Sequence, residues 1–422
     1  MGPHSCGADP SSKPSRLVGA LETLEEQIAR DLLKGADLLA LLRVSKTMRT
    51  AMKRLQPRVV TSGKRGNTSE TIAGGMLNIM QFCTIITIDL SNHGLKANDA
   101  NALMRALGRC ALLAHLDLSG NSIGAEGAGA LAAALGQCTS LAHVDLRGNG
   151  IGDDGAGALV EVLRQCASLD HLNLAWNKIG AKGAGALAQV LGLFASLAHL
   201  DLGGNNIKAE GVKRLAAVLG QCASLAHLSL SWNEIGAQGA GALAAVLGQC
   251  ASLAHLNLGG NGIRAQEAQR LAAVLGQCAS LAHLHIGDNM IGDKGAGKLA
   301  AVLGQCASLA HLDLCHNGIG DEGAGKLAKV LGQCASLSRL DLSWNSIGAE
   351  GAGALAAVLG QCASFAHLDL GENDIGAEGA EMLAAALGQC GSLAHLDLSG
   401  NNIGNQDEKI RQQVRQQCKL LL

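Results

Sequence analysis

Aromatic residues are nearly missing from this 422-residue chain, which has three Trp, three Phe and no Tyr. Any core must therefore be filled by Leu, Ile, Val and Ala. Proline occurs only at positions 3, 10, 14 and 57, so nothing of that kind interrupts a regular backbone architecture over the rest of the chain. An excess of one charge is also lacking, with 33 Lys and Arg against 35 Asp and Glu. That balance excludes the basic surface that holds a protein on nucleic acid or on an anionic membrane, and neither partner is expected. No run of about 18 apolar residues is present, so no membrane-spanning helix is expected. The opening stretch "MGPHSCGADPSSKPSR" (1–16) has no apolar segment of the secretory kind and reads as disordered. P-loop, triad and zinc-protease motifs are missing as well. The chain reads as non-catalytic, and no cofactor or bound metal is expected.

What is present is one phrase written many times. "CASLAHLSLSWNEIGAQGAGALAAVLGQ" (222–249) is followed at once by "CASLAHLNLGGNGI". The Asn after each "LxLxx" falls at 121, 149, 177, 205, 233, 261, 289, 317, 345, 373 and 401, always 28 residues apart. A shorter form, "IDLSN", precedes them and makes twelve strand motifs between Ile88 and Asn401. In the quoted unit, Leu228 and Leu230 alternate with His227 and Ser229, the two-residue period of a strand. Ile235 re-enters the core, and Ala240, Leu243 and Leu247 recur at helical spacing. Acidic residues near the helix starts (Glu126, Asp154, Glu322, Glu350, Glu378) suit the positive end of a helix dipole.

A fixed period in the twenties with "LxxLxLxxN" marks a solenoid. The text "SLAHLDLSGNSIGAEGAGALAAAL" resembles the ribonuclease-inhibitor type of leucine-rich repeat, over roughly residues 70–405. The resemblance implies an α/β fold: a horseshoe-shaped leucine-rich repeat solenoid with a parallel β-sheet on the concave face and helices on the convex face. One unit is too small to bury its own apolar face, so its neighbours must cover it. The expected organisation is a disordered start (1–16), a helical module (17–57), a solenoid with a degenerate first cap (58–405) and a polar C-terminal capping helix (406–422).

A repeat position becomes a column in such a stack, and each column carries its own expectation. Twelve Cys share one position (83, 110, 138, 166, 222, 250, 278, 306, 334, 362, 390 and 418), and Phe194 stands in for a thirteenth. Their spacing is wrong for zinc, and a Phe can replace a packing residue but not a ligand. Unpaired thiols in that number point to the cytoplasm or the nucleus. His115, His143, His171, His199, His227, His255, His283, His311, His367 and His395 form an outward column with Arg339 in its gap. Two residues further on run Asp117, Asp145, Asp201, Asp313, Asp341, Asp369 and Asp397, on the same face and able to pair with His. The His–Asp face is either a copied tolerated surface or a pH-responsive one. Trp176, Trp232 and Trp344 occupy one position where other repeats place Gly, or Asp288, His316 and Glu372. They are either contacts for a protein partner or flat covers over neighbouring Gly. Arg147, Asn173, Ser229, Asn257, His285, Cys315 and His316 depart from the consensus on the same face, where specificity for a partner would sit.

The segment before the repeats is different. Leu21, Leu24, Ile28 and Leu32 recur at helical spacing, and Gly35 is a terminator. "DLLALLRVSKTMRTAM" resembles part of an F-box, with Leu38, Leu41 and Val44 among the matching positions. The Leu-Pro that opens that motif and the Trp near its end are missing here. The resemblance implies docking on the adaptor subunit of a ubiquitin ligase, with the repeats capturing substrate. The solenoid is also similar to the GTPase-activating proteins for Ran, which use an early-loop Arg. "SGKRGN" (62–67) offers Arg65 in roughly that place, which implies a small GTPase as partner.

Overall fold

The computed structural model describes residues 58–62, 85–100, 113–136, 138–362, 364–404 and 419–421. The described strands form one parallel sheet of 14, in chain order from first to last. It opens with β1 (Arg58–Ser62), β2 (Ile85–Asp89) and β3 (Leu113–Asp117). Three-residue strands then follow from β4 (His143–Asp145) to β13 (His395–Asp397). Ten described helices alternate with these strands, from α1 (Gly124–Leu135) to α10 (Gly376–Leu387). This is the leucine-rich repeat solenoid, an open parallel sheet backed by a layer of helices. A parallel sheet needs such crossover helices and is buried on the side they cover.

The unit containing α5 (Gly236–Leu247) shows why the text must repeat. Cys222, Leu225, Leu228, Leu230, Ile235, Ala240, Leu243 and Leu247 are all buried, and their equivalents form one continuous cluster along the molecule. Fully burying one such Leu or Ile is worth about 2 kcal/mol. Gly239 sets how close the units come: a Cβ there would lie 2.4 Å from Ile235 Cγ2 and 3.3 Å from the Ala209 Cα in α4 (Lys208–Leu219).

Polar groups at the strand ends are satisfied by a ladder of buried Asn. Asn177 Nδ2 donates to the carbonyls of Leu146 at 2.8 Å, Leu174 at 3.1 Å and Ala175 at 3.1 Å. Its Oδ1 accepts from the N–H groups of Asn149 at 2.9 Å and Ile151 at 3.3 Å. The same arrangement recurs at Asn233, Asn261 and Asn317. Each Asn thus ties its own unit to the one before it, in a turn that has no ladder partners of its own.

One local expectation differs from the structure at its end. Residues 406–422 read as a capping helix; 405–418 lie outside the described residues, and Lys419–Leu421 is a strand, β14, paired in parallel with β13. The physical reason is the free edge of the sheet: unpaired N–H and C=O groups on β13 gain partners from a strand and not from a helix. Glu126, Asp154, Glu322, Glu350 and Glu378 lie in the first turns of their own helices, as expected, and a second set of carboxylates caps helix starts across the repeat boundary. Asp321 Oδ1 accepts from Gly348 N at 2.8 Å and Gly351 N at 2.7 Å in the following unit. Asp153 and Asp293 do the same for their neighbours. Asp154 instead pairs with Lys182, and Glu322 with Lys326, both on the surface.

Candidate protein-binding face

Register carries each sequence column straight across the sheet. His115 pairs with His143, His143 with His171, and so on to His367 with His395. Arg339 takes its turn between His311 and His367. The outward residues of every strand therefore line one face.

The imidazoles stack on one another. His143, His171, His199 and His227 form a continuous pile with ring centroids 3.9, 4.0 and 4.0 Å apart. His255 and His283 form a second stack at 4.0 Å. Burial, and then the neighbouring imidazoles, lower the pKa of His171 to about 3 and of His227 and His283 to about 4. The rest of the stack moves in the same direction, with burial the main cause at His143 and His199. The stack is neutral at neutral pH.

The acidic column has another task. Asp117, Asp145, Asp201, Asp313, Asp341, Asp369 and Asp397 each accept the backbone N–H two residues on, at 2.8–3.0 Å. Asn173 and Asn257 make the same bond at 3.0 Å. This is an Asx turn that ends the strand, and it explains why Asp and Asn exchange at the position. One carboxylate oxygen is committed to the turn; the second meets Asn173 Nδ2 at 3.0 Å in Asp145 and His285 Nδ1 at 3.3 Å in Asp313. Burial raises the pKa of Asp145 and Asp369. At Asp313 burial also acts upward, but hydrogen bonds from His285 and Cys315 outweigh it and hold the carboxyl below the usual range.

Pairing between His and Asp runs across repeats, not along a strand. His285 Nδ1 lies 3.3 Å from Asp313 Oδ2, and His316 Nδ1 lies 2.8 Å from Asp288 Oδ1. Cys315 sits between these pairs, its thiol pushed up by burial and by Asp313. Among the described residues the columnar Cys are buried, with Cys334 partly so. Cys222 Sγ, for instance, approaches the carbonyls of Leu191 at 3.5 Å and Val218 at 3.7 Å.

The three Trp residues stand out. Trp176, Trp232 and Trp344 are 55, 52 and 60 % exposed. All three have left-handed backbone, with φ of 58, 55 and 56°. Gly120, Gly148, Gly204, Gly260 and Gly400 hold the same position at φ of 64–71°, which is why Gly is the usual residue there. A bulky side chain in that conformation costs roughly 1 kcal/mol. The indoles of Trp176 and Trp232 lie over the next repeat's Gly204 and Gly260, where a Cβ would come within 2.3 and 2.5 Å of the ring. One ring face rests on backbone and the other meets solvent. Asp288, His316 and Glu372 take the position with positive φ as well, and Arg147 and Arg339 are exposed on the same face.

The sequence columns are thus brought together as expected, while the stacking, the Asx turns and the left-handed Trp residues were not visible in the spacing. A left-handed position was signalled by its Gly; that three Trp share it was the clue. Leu38, Leu41, Val44 and Arg65 lie outside the described residues. Among the described residues no group of three or more His, Cys, Asp or Glu is arranged to hold a metal ion, and no helix is long and apolar enough to cross a membrane.

A family profile described as Leucine Rich repeat matches ten segments of the chain: 109–132, 137–160, 165–188, 195–216, 221–244, 277–300, 305–328, 333–356, 361–384 and 389–407. Together they span more than half of it. No curated protein matches the sequence. Three solved structures are similar in fold. An internalin of Listeria monocytogenes is 20% identical over 64% of this chain and 80% of that one, with a TM-score of 0.41. A leucine-rich repeat protein of Leptospira interrogans is 22% identical over 79% and 95%, with a TM-score of 0.38. A chain of the Rad7 and Elc1 complex of yeast is 14% identical over 97% and 92%, with a TM-score of 0.49.

Proposed function

Because the chain belongs to the leucine-rich repeat family, we propose that it is a non-catalytic scaffold that binds a protein partner on its inner face. The observation that carries this reading is where the repeats differ. Buried Leu, Ile and Asn recur in unit after unit, whereas the exposed inner side chains change: Arg147, Trp176, Trp232, His285, His316, Arg339, Trp344 and Glu372. A rigid sheet with a varied, partly aromatic surface suits recognition, and aromatic and Arg side chains are the usual anchors of an interface. The carboxylates of Asp117, Asp145, Asp201, Asp313, Asp341, Asp369 and Asp397 add acceptors to this face, although the second oxygens of Asp145 and Asp313 already meet Asn173 and His285. Buried column thiols such as Cys222, with a pKa raised by burial to about 11, support a reducing compartment, cytoplasm or nucleus.

At finer grain we read the repeats as ribonuclease-inhibitor-like and the chain as a substrate adaptor of a ubiquitin ligase, docked through Leu38, Leu41 and Val44 of an F-box-like module. Activation of a small GTPase through Arg65 is the alternative. Affinity capture with the full chain and mass spectrometry tests the set. The inner-face variant Arg147→Glu is compared with Lys213→Glu on the helical side. A partner lost with the first and kept with the second is expected, and equal loss or equal retention would sink the inner-face reading. A ligase adaptor that disappears with Leu38→Ala and Leu41→Ala supports the finer reading. A retained GTPase whose hydrolysis needs Arg65 replaces it.

A further inference from the structure

Resting on that reading, we propose that the Trp rail binds a proline-rich segment in the polyproline II conformation, with acidic residues at one end and basic residues at the other. The first argument is spacing. Trp176 and Trp232 are two repeats apart and Trp344 four repeats further, along one column. Neighbouring strands lie about 4.8 Å apart, so the intervals are roughly 10 and 19 Å. A polyproline II helix turns once every three residues at about 3.1 Å per residue, so the same face recurs at roughly 9 Å and, two turns on, at 19 Å. Prolines at positions 1, 4 and 10 of a peptide would meet the three indoles in turn, as the roughly 3.1 Å rise requires.

The second argument is the shape and the strain. Trp176 and Trp232 each lie flat on a Gly of the next repeat, which leaves a planar apolar face outward. Gly204 adds no side chain of its own between Trp176 and Trp232, while between Trp232 and Trp344 stand Gly260 and the Asp288–His316 pair at 2.8 Å, which a rod would meet as polar contacts. Bulky residues hold the left-handed backbone in three repeats where Gly would be unstrained, and such strain collects at working surfaces. A proline-rich rod lacks most backbone donors and is already stiff, so it needs ring contacts more than a ladder of hydrogen bonds.

The third argument is charge complementarity along the rail. Arg147, Lys178 and Lys208 are exposed around Trp176. Glu234 follows beside Trp232 and pairs with Lys208 at 3.8 Å. Glu372 and Asp374 are exposed around Trp344, and Arg339 lies at the far end of that strand. The acidic end of the ligand belongs over Trp176 and the basic end over Trp344.

The test is a fluorescence anisotropy titration of the full chain. The probe is a labelled decaproline with a Glu pair at one end and an Arg pair at the other. Saturable binding is expected, tighter than for decaproline capped by Glu at both ends, and weakened at least about tenfold by Trp176→Gly or Trp232→Gly. Gly is what neighbouring repeats carry at that position, so these variants keep the fold, which thermal unfolding checks. Three results overturn the proposal: no saturable binding, binding that ignores the Trp→Gly changes, or saturable binding of a β-1,4-linked oligosaccharide in place of the peptide. A captured protein partner that is lost with Arg147→Glu but kept when all three Trp are Gly would overturn it while leaving the scaffold reading in place.

Discussion

Single residues in this molecule do two different kinds of work. Asn233 is buried and bonded on both sides of its amide, through Nδ2 to the Leu202 and Leu230 carbonyls and through Oδ1 to Ile207 N–H. Asn233→Ala strips these groups of partners in a place water does not reach. A loss of about 3 kcal/mol or more is expected by denaturant titration, since each orphaned group costs about 1–3 kcal/mol; a loss below about 1 kcal/mol would mean that the turn relaxes. Trp344 predicts the opposite. It is exposed and its backbone is left-handed, so Trp344→Gly is expected to leave stability within about 1 kcal/mol of the parent. A clear destabilisation would show that the ring is a cover for the backbone and not a free contact.

At the scale of one element, three helix starts are held by a carboxylate from the unit before, that of Asp153, Asp293 or Asp321. The Asp321 carboxylate accepts two N–H groups at the start of the next helix, across the repeat boundary. Asp321→Ala is expected to cost about 1–2 kcal/mol, the usual loss for a helix cap, and to raise hydrogen exchange at Gly348 and Gly351 first. Uniform exchange along the chain would argue against a local role. The strands and helices themselves were legible in the sequence because Leu228, Leu230, Leu243 and their equivalents declare their period. The cap was not, because Asp321 acts on residues 27 and 30 positions away, beyond the reach of a local capping rule. Tail residues Lys419–Leu421 misled for a related reason: their strand depends on the edge of β13, which no neighbouring sequence reveals.

Across the whole molecule, the imidazole pile makes stability depend on pH. His171, His227 and His283 have folded pKa values of about 3, 4 and 4, below the ordinary value of 6.5. Between those limits the unfolded chain binds more protons than the folded one, so stability rises with pH. It is complete above about pH 6.5 and falls as the pH drops, and between about pH 6.5 and 5 few carboxylates yet titrate. Thermal unfolding is therefore expected to move to lower temperature between about pH 7 and pH 5. His227→Gln is expected to flatten that slope, and a midpoint that does not move would refute the claim. Sequence showed the column of His but not its close stacking, because ring orientation depends on the packing between units. The candidate site divides the same way. Its positions were readable, but the left-handed backbone under Trp176 and the committed oxygen of Asp117 came only with the fold.

The Asn ladder also sets how the molecule yields to tension. Each Asn of the ladder makes bonds across one boundary between units, and no described side-chain bond of the ladder reaches past it. A chain pulled by its two ends therefore peels from a terminus, tooth by tooth, like a zip fastener. Each tooth releases 28 residues, roughly 100 Å of slack at about 3.6 Å per residue. Optical-tweezer traces would record a sawtooth of near-equal steps, and any ligand lying across several units would appear as one tall tooth among them.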